Sequence, residues 1–185
     1  MIFSYVEEAD KATDQALAAM PGRLFVHGDE SGLGLLTRHT DLVSTRPATG
    51  SDTQRRKAIW AEFERLCSPT DQDWVLWLRP SEFCVGDLET LVLYAEACRH
   101  TGMSVPVYPV LDVTGFLKVG PVERSIRLFR YQPDTGFTKR VLPGPRYSHE
   151  RTSHNITTLR ILDFESVTSS SGDGVEWKGL VPKFR

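Results

Sequence analysis

Apolar residues along the chain fall into short runs and two helical stripes, and their spacing predicts most of the elements. Trp74–Leu78 (WVLWL) is a continuous apolar run bounded by turn signals, the pattern of a strand buried on both faces. Residues 54–67 (QRRKAIWAEFERLC) place Ile59, Phe63 and Leu66 on one helical face, with Ser51 or Asp52 as the N-cap. Leu88–His100 (LETLVLYAEACRH) is amphipathic, capped by Asp87 and closed by Thr101-Gly102. An Ala-rich stretch over residues 6–20 reads as a further short helix ending before Pro21-Gly22. Strands are predicted at Arg23–His27, once or twice within 35–46, at Gly115–Gly120, Ser125–Tyr131, Phe137–Leu142 and Thr157–Phe164. Val105–Val113 is also strand-like, and Pro106 and Pro109 mark it as an edge or bulged strand. Gly28–Gly34 is glycine-rich but lacks the Lys-Ser/Thr of a phosphate loop, so it reads as a turn. These elements predict an α+β fold, a compact mixed β-sheet with about three helices.

Composition places the elements in one domain. At 185 residues and 40% hydrophobic, the chain is long enough to bury a core. An N-terminal lobe is expected over 1–70, a core over 74–164, and a polar loop and tail over 165–185 with Trp177 and Phe184 available to dock. No apolar stretch approaches the ~18–20 residues of a membrane span, so no membrane insertion is expected, and the first residues are acidic where a signal peptide is basic. Cys67, Cys84 and Cys98 are odd in number and lack CxxC spacing, which favours a reducing, cytoplasmic setting; Cys98 is expected to be a buried small residue. The five histidines form no zinc-binding pair.

The charge is uneven. Lys and Arg number 22 against 24 Asp and Glu, which excludes a globally basic nucleic-acid coat. Residues 118–160, however, hold nine basic groups (Lys118, Arg124, Arg127, Arg130, Lys139, Arg140, Arg146, Arg151, Arg160) and three acidic ones. That strip can steer DNA or another phosphate-bearing ligand, with Tyr131 and Tyr147 as candidates to stack on bases. Arg127 and Arg130, three apart, face opposite sides of a strand, so only one can continue a stripe with Arg124. Glu7, Glu8, Asp10 and Asp14, placed on the first helix, suit a basic protein partner.

The segment LWLRPSEFCVGDLETLVLYAEACRHTGMSVPVYPVLDVTG resembles the first half of the ParB/sulfiredoxin-like domain: a strand, a helix ending in an Arg-x-x-Gly pattern, a Pro-Val strand and a Gly hairpin. The resemblance covers roughly residues 74–164 and its motifs are short. It implies a Gly-x-x-Arg segment that holds nucleotide phosphates at a helix N-terminus. Two segments offer it: Gly120-Pro121-Val122-Glu123-Arg124, and Gly144-Pro145-Arg146-Tyr147-Ser148-His149-Glu150-Arg151, the latter favoured by its downstream context. The Gly-Cys-His-Arg of sulfiredoxins and the doubled arginine of ParB proteins are absent, as is a following helix-turn-helix, which speaks against sulfinic acid reduction and chromosome partition. A stand-alone chain of this kind is most similar to the Osa-type plasmid fertility inhibition factors. That similarity implies a bacterial protein that blocks conjugative DNA transfer through a type IV secretion or coupling component, with ATP hydrolysis and DNA cleavage.

At the favoured segment, Gly144 allows close backbone approach while Arg146 and Arg151 contact ATP phosphates. Glu150 orients water or shares a divalent ion such as Mg²⁺, and His149 is a proton-transfer candidate. Glu123 and Arg124 offer the same roles at the nearer segment. Two alternatives stay open: a non-catalytic inhibitor of the same fold that binds a conjugation component, and an immunity or antitoxin protein.

Overall fold

A computed structural model describes residues 1–46, 49–112, 118–132, 152–154 and 159–165. In chain order the elements are β1 (Ile2–Val6), a 3-10 turn (Ala9–Lys11), α1 (Asp14–Ala18), β2 (Arg23–His27), a 3-10 turn (Glu30–Gly32), α2 (Leu33–Leu36) and β3 (Leu42–Ser44). They continue with α3 (Asp52–Cys67), β4 (Trp74–Leu78), β5 (Glu82–Gly86), α4 (Leu88–Ala97), β6 (Gly102–Asp112), β7 (Lys118–Val119), β8 (Glu123–Arg130), β9 (Thr152–His154) and β10 (Leu159–Asp163). One sheet runs in the order β3-β2-β1-β4-β8-β6-β10-β5, with β7 and β9 also paired to β6. The strands β3, β2, β1 and β4 are mutually parallel; β8 is antiparallel to both β4 and β6, β10 is parallel to β6, and β5 closes antiparallel to β10. The fold is therefore a mixed sheet with helices, and the described residues hold four α-helices.

Alternating side chains explain the layering. On β1, Phe3 and Tyr5 face α3 and pack with Phe25, Ile59, Trp60 and Phe63; Val6 faces the other way, into a cluster shared with Leu17 of α1, Leu36 of α2 and Leu88, Leu91 and Val92 of α4. β4 is buried at all five positions because it lies between β1 and β8 with a helical layer on each face. α3 begins with a capping box, Ser51 Oγ accepting from the Gln54 amide while the Gln54 side chain accepts from the Ser51 amide. α4 ends in a Schellman motif in which His100 N–H reaches the Ala95 carbonyl at 2.8 Å and Arg99 N–H the Glu96 carbonyl at 3.0 Å.

Several expectations are corrected. Residues 6–20 are not one helix: the central strand β1 occupies Ile2–Val6, and only Asp14–Ala18 is α-helical. The turn expected over Gly28–Gly34 runs on into an unexpected short helix, α2, and one of the one or two strands expected within 35–46 is present, β3 at Leu42–Ser44. The left-handed residue after α4 is Arg99 (φ 58°), and Gly102 begins β6. β6 is bulged but is no edge strand: it lies between β8 and β10, and register shifts between Met103 and Ser104 and between Val110 and Asp112 flank its two prolines. Cys98 is exposed at the C-cap of α4, whereas burial raises the thiols of Cys67, to about 12, and Cys84. β1 pairs directly with β4, so the sheet runs unbroken from the expected N-terminal lobe into the core. The expected strand Phe137–Leu142 and the loop and tail from Ser166 onward lie outside the described residues.

Candidate functional site

The parallel strands end in a row along one edge. Val6 pairs with Val26 on one side and Leu78 on the other, and His27 pairs with Ser44, so the chain leaves the sheet at Glu7, Gly28, Thr45 and Arg79. From β1 the chain winds outward to β2 and β3, then α3 carries it back across the opposite face to β4. The winding direction reverses between β1 and β4, and in open α/β sheets the crevice outside the carboxyl ends of such a strand pair is where ligands bind.

Charged side chains converge on this reversal. Glu7 is buried directly after β1; its Oε1 accepts from the Tyr5 hydroxyl at 3.0 Å, and its Oε2 lies 3.8 Å from Arg56 Nε. Burial raises the Glu7 carboxyl, against the opposing pull of Arg56, and raises the Tyr5 phenol well above its ordinary value. Glu8 takes a left-handed backbone (φ 54°), and its carboxylate receives Lys11 at 2.5 Å and Arg55 at 2.7 Å, bonds that lower its pKa. Asp52 meets Arg55 at 3.0 Å and Arg56 at 3.3 Å. Arg55 and Arg56 stand near the start of α3, where the helix dipole disfavours cations, and these three carboxylates offset that. His27, at the end of β2, has an unpartnered buried Nδ1, and desolvation lowers its pKa.

At the same sheet edge, Arg79 follows β4. The turn Arg79-Pro80-Ser81-Glu82 is closed by the Glu82 N–H on the Arg79 carbonyl (3.0 Å) and by the Arg79 N–H on Glu82 Oε2 (2.8 Å). Arg127, 2% exposed, places its two terminal nitrogens 2.7 and 3.2 Å from the oxygens of the fully buried Glu82 and lies over Trp77 at 4.1 Å. Burial pushes Glu82 up and Arg127 down, while their mutual attraction works against both shifts. Ser81 Oγ donates to Asp163 Oδ1 at 2.8 Å, tying the turn to the end of β10. The Arg79 guanidinium remains partly exposed, 3.5 Å from Asp163 and 3.8 Å from Glu165.

The structure separates the residues expected to form the site. Gly144, Arg146, His149, Glu150 and Arg151 lie outside the described residues, as does Tyr147. Glu123 and Arg124 are exposed at the start of β8, which is antiparallel to β4 and so begins at the same sheet edge as Arg79. Their segment opens a strand rather than a helix, and the Gly120 amide is already bonded to the Pro109 carbonyl at 2.7 Å, so it forms no phosphate-holding helix N-terminus. The basic strip is interrupted: Arg127 is buried against Glu82, and Arg130 lies over Trp74 on the opposite face, 3.4 Å from Glu96. Tyr131 is no stacking platform, being buried beside Trp60 with its hydroxyl on Glu64 at 2.9 Å. Glu7 and Glu8 precede the first helix and are engaged by arginines, so they do not form the expected free acidic helix face. Among the described residues no three His, Cys, Asp or Glu side chains are grouped to hold a metal ion, and Glu150 lies beyond them. No helix among them is long and apolar enough to cross a membrane.

Sequence reading missed Arg55, Arg56, Arg79 and Glu82 as site residues. One available signal was the pair Arg55-Arg56 at the start of a helix, against the dipole, after a Gly-Ser loop. No protein-family model matches the chain, and no curated protein matches it. Among solved structures it is similar to a 4-diphosphocytidyl-2C-methyl-D-erythritol synthase, with 9% identity and a TM-score of 0.44 over 70% of this chain and 74% of that one.

Proposed function

We propose that this protein binds a phosphate-bearing ligand, of the nucleotide class, in the crevice between the carboxyl ends of β1 and β4. The observation that carries this reading is the reversal of strand order there, with Arg55 and Arg56 held on Glu8 and Glu7 after β1 and Arg79 directly following β4. Guanidinium groups pair with phosphate bidentately, and all three now rest on carboxylates that a more highly charged anion can replace. Glu7, desolvated beside the crevice, is the group placed to hold or accept a proton there. The divalent ion implied by the family resemblance finds no matching ligand group among the described residues, and no step is assigned to it.

A second reading keeps the ParB/sulfiredoxin-like core: a plasmid fertility inhibition factor with ATP hydrolysis and DNA cleavage, or a non-catalytic inhibitor that docks on a conjugation component. What supports it is that α4, closed by the left-handed Arg99, is followed by β6 opening at Gly102, as its Arg-x-x-Gly and Pro-Val strand motifs require, although β5 stands between β4 and α4.

The test is calorimetric titration of the purified protein with ATP and with inorganic pyrophosphate, with and without Mg²⁺, alongside ATP hydrolysis, plasmid nicking and conjugative transfer assays. Saturable binding is expected, weakened about tenfold or more by Arg55→Ala and by Arg79→Ala, since a hydrogen bond to a charged group contributes about 1.5–3 kcal/mol. Wild-type protein that binds neither ATP nor pyrophosphate refutes the ligand reading. Hydrolysis and nicking by wild type would favour the second reading as an enzyme; inhibited transfer without either would favour the non-catalytic inhibitor.

A further inference from the structure

We propose that the buried Arg127–Glu82 pair positions Arg79 for the incoming phosphate, an inference that rests on the ligand reading above. Replacing a buried ion pair by apolar groups is often neutral or stabilising, so stability alone does not account for one this deeply enclosed. What the pair does locally is specific. The two oxygens of Glu82 serve three N–H donors: both terminal nitrogens of Arg127, and the backbone amide of Arg79. Arg127 is itself fixed by Trp77 beneath it and by Ser125 Oγ, which accepts from its Nε at 2.9 Å. Glu82 is therefore held in one place, and through the Arg79 amide it fixes the point at which the chain leaves β4.

The far side of the turn is anchored too. Ser81 Oγ bonds Asp163, the Phe164 N–H reaches the Ser81 carbonyl at 3.1 Å, and the Glu165 N–H reaches Asp163 Oδ1 at 3.0 Å. The backbone of the turn is thus constrained on both sides, whereas the Arg79 side chain at its tip meets carboxylates only at 3.5 and 3.8 Å. A rigid backbone carrying a loosely engaged guanidinium meets the needs of an anion contact: the direction of the side chain is preset, and little has to be broken for it to turn to a phosphate. Arg127 and Glu82 act through Arg79 and do not touch the ligand.

The experiment is a binding cycle with ATP as the probe, comparing wild type, Glu82→Gln, Arg79→Ala and the double variant. Glutamine keeps the shape of the side chain but has one carbonyl oxygen for donors that two oxygens now share. Glu82→Gln is expected to weaken ATP binding about tenfold and to have no further effect once Arg79→Ala is in place. Arg127→Lys, which keeps the charge but loses the fork, should show an intermediate loss and serves where Glu82→Gln does not fold. A loss from Glu82→Gln that is equal with and without Arg79→Ala, or no loss in a folded Glu82→Gln protein, overturns the positioning role while leaving the ligand reading intact. Wild type that fails to bind ATP or pyrophosphate removes both.

Discussion

Replacing Glu82 by leucine strands the Arg127 guanidinium in the protein interior. The partner it loses is fully buried and bonds it at 2.7 and 3.2 Å, and Arg127 is itself 2% exposed, so water cannot replace the lost carboxylate. Breaking a buried pair by deleting one member costs about 3–5 kcal/mol, a large share of the ~5–15 kcal/mol that holds a typical domain together. For a chain of this length that is a fall in melting temperature of roughly 6–20 °C. The double replacement Glu82→Leu with Arg127→Met removes the stranded charge and should recover about 2 kcal/mol of the loss. About 1–3 kcal/mol should remain, because the Arg79 amide still lacks its acceptor. Urea denaturation at neutral pH followed by tryptophan fluorescence measures Glu82→Leu, Arg127→Met and the double variant against wild type, and the double-mutant cycle isolates the coupling. A single-variant cost under about 1 kcal/mol, or a double variant as unstable as the sum of the singles, would contradict this account, since either means the charge is not desolvated as the geometry requires.

Two further outcomes follow from the ends of α4. Arg99→Gly relieves a left-handed backbone at an exposed position and should raise stability by about 1 kcal/mol, read as a higher urea midpoint with an unchanged slope. Asp87, the N-cap, accepts from the Thr90 amide at 2.9 Å and the Thr90 hydroxyl at 2.6 Å, and these bonds lower its pKa in the folded state. Its contribution is therefore complete above the unfolded carboxylate value of about 3.9 and is lost as pH falls through the lower folded value. Stability measured from pH 2 to 6 should show wild type losing its advantage over Asp87→Asn only in that acid window; a gap that stays constant throughout contradicts the assignment.

Local chemistry made α3, α4 and the buried strand legible. WVLWL declares a doubly buried strand because five consecutive apolar residues leave no solvent face, and β4 is buried throughout. Ser51 with Gln54 three residues later spells out the start of α3. The first strand was hidden because Ile2–Val6 runs directly into an Ala-rich acidic stretch whose helical spacing absorbs Val6. Arg127 reads as one more cation in a basic strip because nothing near it in the chain reveals Glu82, 45 residues away.

The class of the fold, the mixed strand and helix content, the position of α3, the N-cap of α4 and the uneven distribution of charge are all written in the linear chain. Periodicity and caps are properties of neighbouring residues, so they survive without the rest of the molecule. That β1 lies beside β4 emerges only on folding, because parallel strands are joined by long crossovers and their register is a contact between distant segments. That pairing creates the reversal in winding and sets Glu7, with Arg56 beside it and Arg55 on Glu8, next to the exit of β4 at Arg79, while β8 and β5 separately bring Arg127 against Glu82. Charges scattered over more than a hundred residues converge because the sheet aligns the ends of its strands, which no local pattern encodes.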